Sequence, residues 1–193
     1  MVAVRVGVDL DGVVADFTGG WIELYNAAFG AGLHADQVTT WHAPVELTSF
    51  RTMTEFWRWA RTAGNDGRSL FASLAPYPGA VDGLRRLIHE AHVAIITTKP
   101  NWAIPDTLGW LATLDLPLRE VHITSDKPSV GCDVYVEDSP KQLAALHRHR
   151  PDSVVCRWAR PWNRPMRGVV DVADFDDVLV VVRSLAAQRG HPG

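Results

Sequence analysis

The chain has 193 residues, a formal net charge of −3, and 47% hydrophobic and 21% charged residues. That length supports one sizeable core, or a core with a modest insertion. The slight negative charge excludes a general attraction to nucleic acid or anionic membrane, and no apolar stretch nears the length of a bilayer span. Two cysteines, Cys132 and Cys156, give no disulfide framework and read as small core residues in a reduced, cytoplasmic setting. The N-terminus runs directly into a strand-like segment, so no secretory signal is read there.

That segment, Val4-Arg5-Val6-Gly7-Val8-Asp9-Leu10-Asp11-Gly12-Val13-Val14-Ala15-Asp16-Phe17, is an apolar run ending in two carboxylates spaced two apart. Residues i and i+2 of an extended chain share a face, so Asp9 and Asp11 point the same way at the strand's end. Their repulsion is relieved by a cation or a shared proton. Gly12 permits a sharp turn close to whatever sits there. Asp-Gly is also a hairpin signal, and Asp-x-Asp-Gly opens some calcium loops. The apolar Val13-Val14-Ala15 that follows suits neither an exposed hairpin tip nor a calcium loop.

Residues 18–77 carry helical patterns at 17–29 and 51–63, many aromatics and few β-type runs. They are read as a small helical cap inserted after the first strand, closed by the rigid re-entry Pro76-Tyr77-Pro78-Gly79. The expected division is a core of 1–17 and 78–193 with a cap of 18–77. Four of the eight tryptophans, Trp21, Trp41, Trp57 and Trp59, fall in the cap. A short helical cap needs large side chains to build any core, which accounts for most of its aromatics. Phe17, directly after the carboxylate loop, and then Trp41 are the candidates to stack on a flat ligand.

From residue 80 the pattern alternates. Helices are expected over 80–91, 105–114, 140–149 and 175–188, and strands over 92–97, 120–124, 132–136 and 153–157. Such alternation predicts an α/β fold, a Rossmann-like parallel sheet with helices on both faces and ligands at the carboxyl ends of its strands. Those ends read Asp9/Asp11, Thr97/Thr98, a loop carrying Lys127, and Glu137/Asp138. After the strand at 153–157 comes a segment, 157–167, with four arginines, two tryptophans and no acid. It reads as a solvated basic loop with its tryptophans on the sheet edge, as a contact for an anionic substrate, or as a nucleic-acid or partner contact, its two prolines arguing against an RNA-reading strand. The eight histidines show no metal-ligand spacing.

A nucleophilic carboxylate, a second carboxylate, a hydroxyl, a lysine and a distal acidic pair make a phosphoryl-transfer set. Magnesium, which prefers oxygen ligands, would screen the repulsion between Asp9 and a phosphate. Asp9 would then attack phosphorus to give an aspartyl-phosphate, while Asp11 moves protons. Thr97 and Lys127 would hold the non-bridging oxygens.

These segments resemble, in order, the four motifs of the haloacid dehalogenase (HAD) superfamily of phosphatases. Asp9-Leu10-Asp11-Gly12-Val13-Val14-Ala15-Asp16-Phe17, Pro76-Tyr77-Pro78-Gly79-Ala80 and Ser125-Asp126-Lys127 are most similar to the 5′(3′)-deoxyribonucleotidase family. The resemblance implies that Asp9 is the nucleophile and Asp11 the general acid and base. It implies magnesium on Asp9, the Asp11 carbonyl and Asp138, phosphate on Thr97, Thr98 and Lys127, and Phe17 beside a nucleoside. Two positions depart from that family. Glu137 stands where an aspartate is usual, leaving its place among the metal ligands open. Lys99 replaces a proline, and is either an extra phosphate contact or a solvated loop residue.

The expected activity is hydrolysis of 5′- or 3′-(deoxy)nucleoside monophosphates. The alternatives are the same chemistry on another small substrate such as a sugar phosphate, or a non-catalytic phospho-ligand binder. A small phosphorylated molecule is the expected partner, with neither nucleic acid nor membrane.

Overall fold

The computed structural model describes residues 3–190. Six strands form one wholly parallel sheet in the order β3-β2-β1-β4-β5-β6. They are β1 (Arg5–Val8), β2 (His92–Thr97), β3 (Val121–Ile123), β4 (Val134–Glu137), β5 (Val154–Trp158) and β6 (Val170–Val172). The helices are α1 (Phe17–Phe29), α2 (Ala43–Glu46), α3 (Met53–Ala60), α4 (Ala80–Glu90), α5 (Ile104–Thr113), α6 (Pro140–His149) and α7 (Phe175–Gly190). The α/β parallel sheet expected from the alternation is the one observed. Among the described residues, no helix is long and apolar enough to cross a membrane.

Strand periodicity sorts the core into two layers. Val6 and Val8 of β1, Val93 and Ile95 of β2, Val134 and Val136 of β4, and Cys156 of β5 face Leu84 and Leu87 of α4 and Val178, Leu179 and Val182 of α7. The alternate residues Ala94, Ile96, Tyr135 and Val155 pack on the other face against Leu143 and Leu146 of α6. Burial on both faces explains the continuous apolar reading of β2. The central strands β1 and β4 lead directly into Asp9 and Asp138, each close to a further acid, Asp11 and Glu137.

Strand β6 lies outside the elements expected from the sequence. It is a three-residue edge strand whose Val170 is exposed and whose Asp171 pairs with Arg157, so neither length nor alternation marks it. Helix α3 is shorter than the 51–63 expected, because Thr52 caps its start, its Oγ1 accepting from the Glu55 amide at 3.2 Å.

Between β1 and α4 the described residues add no strand to the sheet. The chain leaves the sheet through Val14 to Asp16 and returns alongside itself through Ala75 to Tyr77. The Asp16 amide donates to the Ala75 carbonyl at 2.8 Å and the Tyr77 amide to the Val14 carbonyl at 2.9 Å. Asp16 also caps α1, its Oδ1 accepting from Gly19 N at 2.8 Å. Trp21 and Phe56 are fully buried in the same apolar cluster as the α4–α7 side of the sheet. The returning segment is tied to α5 as well: Trp110 Nε1 donates to the Leu74 carbonyl at 2.5 Å, and Ser69 and Arg68 both bind Asp106.

Candidate active site

The loop after β1 is wound around one carbonyl. Leu10 O accepts the amides of Val13, Val14 and Ala15 at 3.2, 2.8 and 2.8 Å. Val13, Val14 and Ala15 are thereby buried, which is why the sequence stays apolar through a turn. Gly12 has φ +78°, and a β-carbon there would lie 2.0 Å from Asp138 Oδ2. Only glycine lets the two acidic loops touch.

At the floor of the site, Lys127 Nζ lies 2.9 Å from Asp9 Oδ2 and 2.5 Å from Glu137 Oε2, with all three side chains buried. The Asp9 orientation is completed by the Leu10 amide, which donates to Oδ1 at 2.8 Å. Glu137 Oε1 accepts the amides of Asp138 and Ser139 at 3.2 and 2.9 Å. Asp138 receives the indole N–H of Trp162 on Oδ2 at 2.9 Å. Thr97 Oγ1 is buried and has no hydrogen-bond partner among the described residues.

Electrostatics separate the carboxylates. Burial pushes Asp9 upward, but the charge and hydrogen bond of Lys127 override it and hold the group below its ordinary value. Asp11 is raised, because burial outweighs the attraction of Lys99. Burial, followed by the negative charge of Asp9, drives Glu137 well up and Asp138 up to about 7. Lys127 is raised despite its burial, since Asp9 and Glu137 both favour its charge.

The donor set suits a divalent cation. Asp9, Glu137 and Asp138 each offer a carboxylate oxygen, all within 4.8 Å of one another. Asp9, Asp11, Glu137 and Asp138 outnumber the lysines paired with them, Lys99 and Lys127. A cluster of crowded carboxylates offering only oxygen donors fits a hard divalent cation such as magnesium.

These groups close one end of a cavity of about 310 Å³. Asp9, Asp11, Thr97, Thr98, Lys127 and Asp138 line that end, and Phe17, Trp21, Trp41, Trp57 and Trp162 line the walls. Trp41 is 49% exposed at the rim, whereas Trp21 is 1% exposed and chiefly a core residue. Phe17 stacks on Phe71 with centroids 5.9 Å apart, and Trp57 does the same at 6.2 Å. Thr98 Oγ1 donates to the Thr124 carbonyl at 2.9 Å.

Lys99 lies elsewhere than either sequence reading puts it. Its side chain is 1% exposed, paired with Asp11 Oδ2 and seated 4.2 Å from the Phe71 ring centre. It neither lines the large cavity nor meets solvent; it holds Asp11 from behind. The basic segment is likewise not a solvated loop throughout. Arg157 is buried against Asp171 and Asn163, and Arg160 Nε donates to the Gly12 carbonyl at 2.7 Å.

The sequence marks the segment 157–167 as a whole, from its place after a strand on the carboxyl side of the sheet, but does not pick out Arg160, Trp162 or Asn163 within it. Lys141 and Gln142, which also line the cavity, are not singled out at all. Cys132 and Cys156 lie in the core, and burial pushes their thiols up to about 11 and about 12, far from a reactive thiolate.

Comparison with known proteins shows the family and the fold. The family model described as "5′ nucleotidase, deoxy (Pyrimidine), cytosolic type C protein" matches residues 2–188. A provisionally named 5′(3′)-deoxyribonucleotidase of Chlorobaculum tepidum is 31% identical over 94% of this chain and 91% of its own length. The human mitochondrial 5′(3′)-deoxyribonucleotidase is 26% identical over 72% of this chain and 63% of its own. Among solved structures, L-2-haloacid dehalogenase from Xanthobacter autotrophicus superposes with a TM-score of 0.63 at 15% identity, covering 94% and 99% of the two chains. A Bacillus subtilis HAD-hydrolase bound to magnesium gives 0.57 at 14% identity, covering 93% and 98%. The chain therefore belongs to the deoxy-type 5′-nucleotidase family and is a phosphoric monoester hydrolase with the haloacid dehalogenase fold.

Proposed function

We propose that the chain is a magnesium-dependent 5′(3′)-nucleotidase that hydrolyses (deoxy)nucleoside monophosphates through an aspartyl-phosphate on Asp9. The observation that carries this reading is the pairing of an ionised, Lys127-bound Asp9 with a raised Asp11 at the closed end of an aromatic cavity. Two carboxylates pushed apart in acidity supply a nucleophile and a proton carrier side by side.

Asp9 attacks phosphorus, and the ester bond to the nucleoside oxygen breaks. Asp11 gives its proton to that leaving oxygen, then takes one from the water that cleaves the aspartyl-phosphate and releases inorganic phosphate. Lys127 and the unpartnered Thr97 hydroxyl offer donors to the non-bridging oxygens, with Thr98 beside them. Asp9, Asp138 and the Asp11 carbonyl would hold magnesium, which when bound screens the phosphate charge. Glu137, with Oε2 on Lys127 and Oε1 on two amides, acts chiefly by fixing that lysine. Lys99 positions Asp11.

Phe17, Trp41 and Trp57 present flat faces to a nucleoside, and residues 18–77 act as the cap that carries most of this wall. The reading favours a compartment without strong oxidant, the cytoplasm, since both thiols are free. The test is phosphate release, with and without EDTA, from dUMP, dTMP, ribonucleotides and sugar phosphates. Metal-dependent release from nucleoside monophosphates is expected; one strong sugar phosphate with inert nucleotides would overturn the substrate assignment.

A further inference from the structure

The loop after β5 lies outside the acidic and phosphate-facing segments, yet it grips one of them. Asn163 is buried with its whole amide engaged. Its Nδ2 donates to the carbonyls of Asp138 and Trp158 at 2.8 and 2.9 Å. Its Oδ1 accepts from Arg157 Nη1 at 2.6 Å and from the Arg160 amide at 3.1 Å. Arg157 is fixed in turn by a two-pronged pair with Asp171, at 2.7 and 2.6 Å, across the β5–β6 edge. Arg160 stacks 4.0 Å over the Tyr77 ring and donates to the Gly12 carbonyl, so one loop spans both acidic loops. From this frame Trp162 reaches the cavity wall and donates its indole N–H to Asp138 Oδ2 at 2.9 Å.

We propose that Trp162 is a positioning residue for the metal site, its N–H fixing the rotation of the Asp138 carboxylate so that a divalent cation meets a preset ligand. This rests on Asp138 being a metal ligand, as in the function proposed above. The choice of donor matters. A lysine or arginine at this place would neutralise Asp138 and compete with the cation, whereas an indole orients the carboxylate and leaves its charge intact. The stiff ring, on a loop fixed by Asn163 and Arg157, holds that orientation before any ion arrives. Partners of this kind beyond the direct ligands commonly govern metal affinity by one to two orders of magnitude.

The test measures Mg²⁺ binding to the substrate-free protein by calorimetry, and Mn²⁺ binding by paramagnetic resonance. The chains compared are the unaltered one, Trp162→Phe, Asp138→Asn and Arg164→Ala. Trp162→Phe keeps a ring in the wall and removes the donor; its affinity is expected to fall roughly tenfold, with the metal-free melting temperature unchanged. Arg164→Ala removes an exposed charge from the same loop and should leave affinity as it was. If Trp162→Phe binds as tightly as the unaltered chain while Asp138→Asn does not, the positioning role is wrong. It is equally wrong if Trp162→Phe weakens binding only in step with a lower metal-free melting temperature. If Asp138→Asn also binds normally, the metal-site reading itself fails, and the positioning role with it.

Discussion

The two ends of the cavity are built on opposite principles. At the ionic end the four acids each have a named partner: Asp9 and Glu137 share Lys127, Asp11 holds Lys99, and Asp138 takes Trp162. Each group has one place, because a buried charge without a partner is strongly disfavoured. The aromatic end is built of shared rings. Phe17, Trp57 and Phe71 stack among themselves while two of the three also face the cavity, so the same atoms serve as core and as wall. The ionic end is therefore set by pairs and the aromatic end by shared rings, and the two meet at Phe71, whose ring also seats Lys99.

The sharpest way to break this division is at Asp9, the nucleophile of the proposed mechanism. Asp9→Asn should lower phosphate release by on the order of 10⁴-fold or more while leaving the circular dichroism spectrum unchanged; activity near that of the unaltered chain would remove the mechanism. Lys127→Met attacks the pairing itself. It leaves Asp9 and Glu137 facing each other, and urea unfolding in EDTA at neutral pH should show a loss of about 3–5 kcal/mol.

The aromatic end should respond differently. Trp41→Ala, at the exposed rim, should raise KM for a nucleoside monophosphate by a factor set by about 1 kcal/mol of stacking, with kcat and melting temperature unchanged. Trp21→Ala, although it touches the cavity, should instead lose about 3–5 kcal/mol of stability. A stability loss from Trp41→Ala of the same size would erase the distinction between wall and core.

The smallest effect lies outside the site and serves as its control. Hydrogen bonds from His122 and His92 hold Glu120 down to about 2 from its ordinary 4.5. A carboxyl depressed in the folded state adds stability that is complete above its unfolded value. That contribution is lost as pH falls from about 4.5 toward about 2. Glu120→Gln should flatten the acid limb of a stability profile without altering kcat at neutral pH.

What could be read from the sequence follows the same division. Charges at strand ends are legible because the parallel sheet brings those ends together, whatever the loops do. Asp9, Asp11, Thr97, Lys127, Glu137 and Asp138 converge in the structure for that reason. The surroundings of Lys99 are illegible: its neighbours Thr98 and Pro100 suggest an open loop, and its burial comes from Asp11 and Phe71, distant in sequence. Asn163 and Trp162 are hidden likewise, since their partners on Asp138 belong to another loop and no periodicity connects them. Strand β6 escapes because three residues, two of them exposed, carry no alternation. The aromatics of 18–77 can be assigned to core and wall only by coordinates, as with buried Phe56 against exposed Trp41.

The most direct test is to trap the covalent intermediate. The unaltered chain, mixed with dUMP and magnesium and quenched in acid within its first turnovers, is digested and analysed by mass spectrometry. A phosphoryl group on the peptide containing Asp9, absent from the Asp9→Asn control, is the expected result. Phosphate release from the unaltered chain with no label at Asp9 in any quench, and with inversion of configuration at phosphorus, would contradict it.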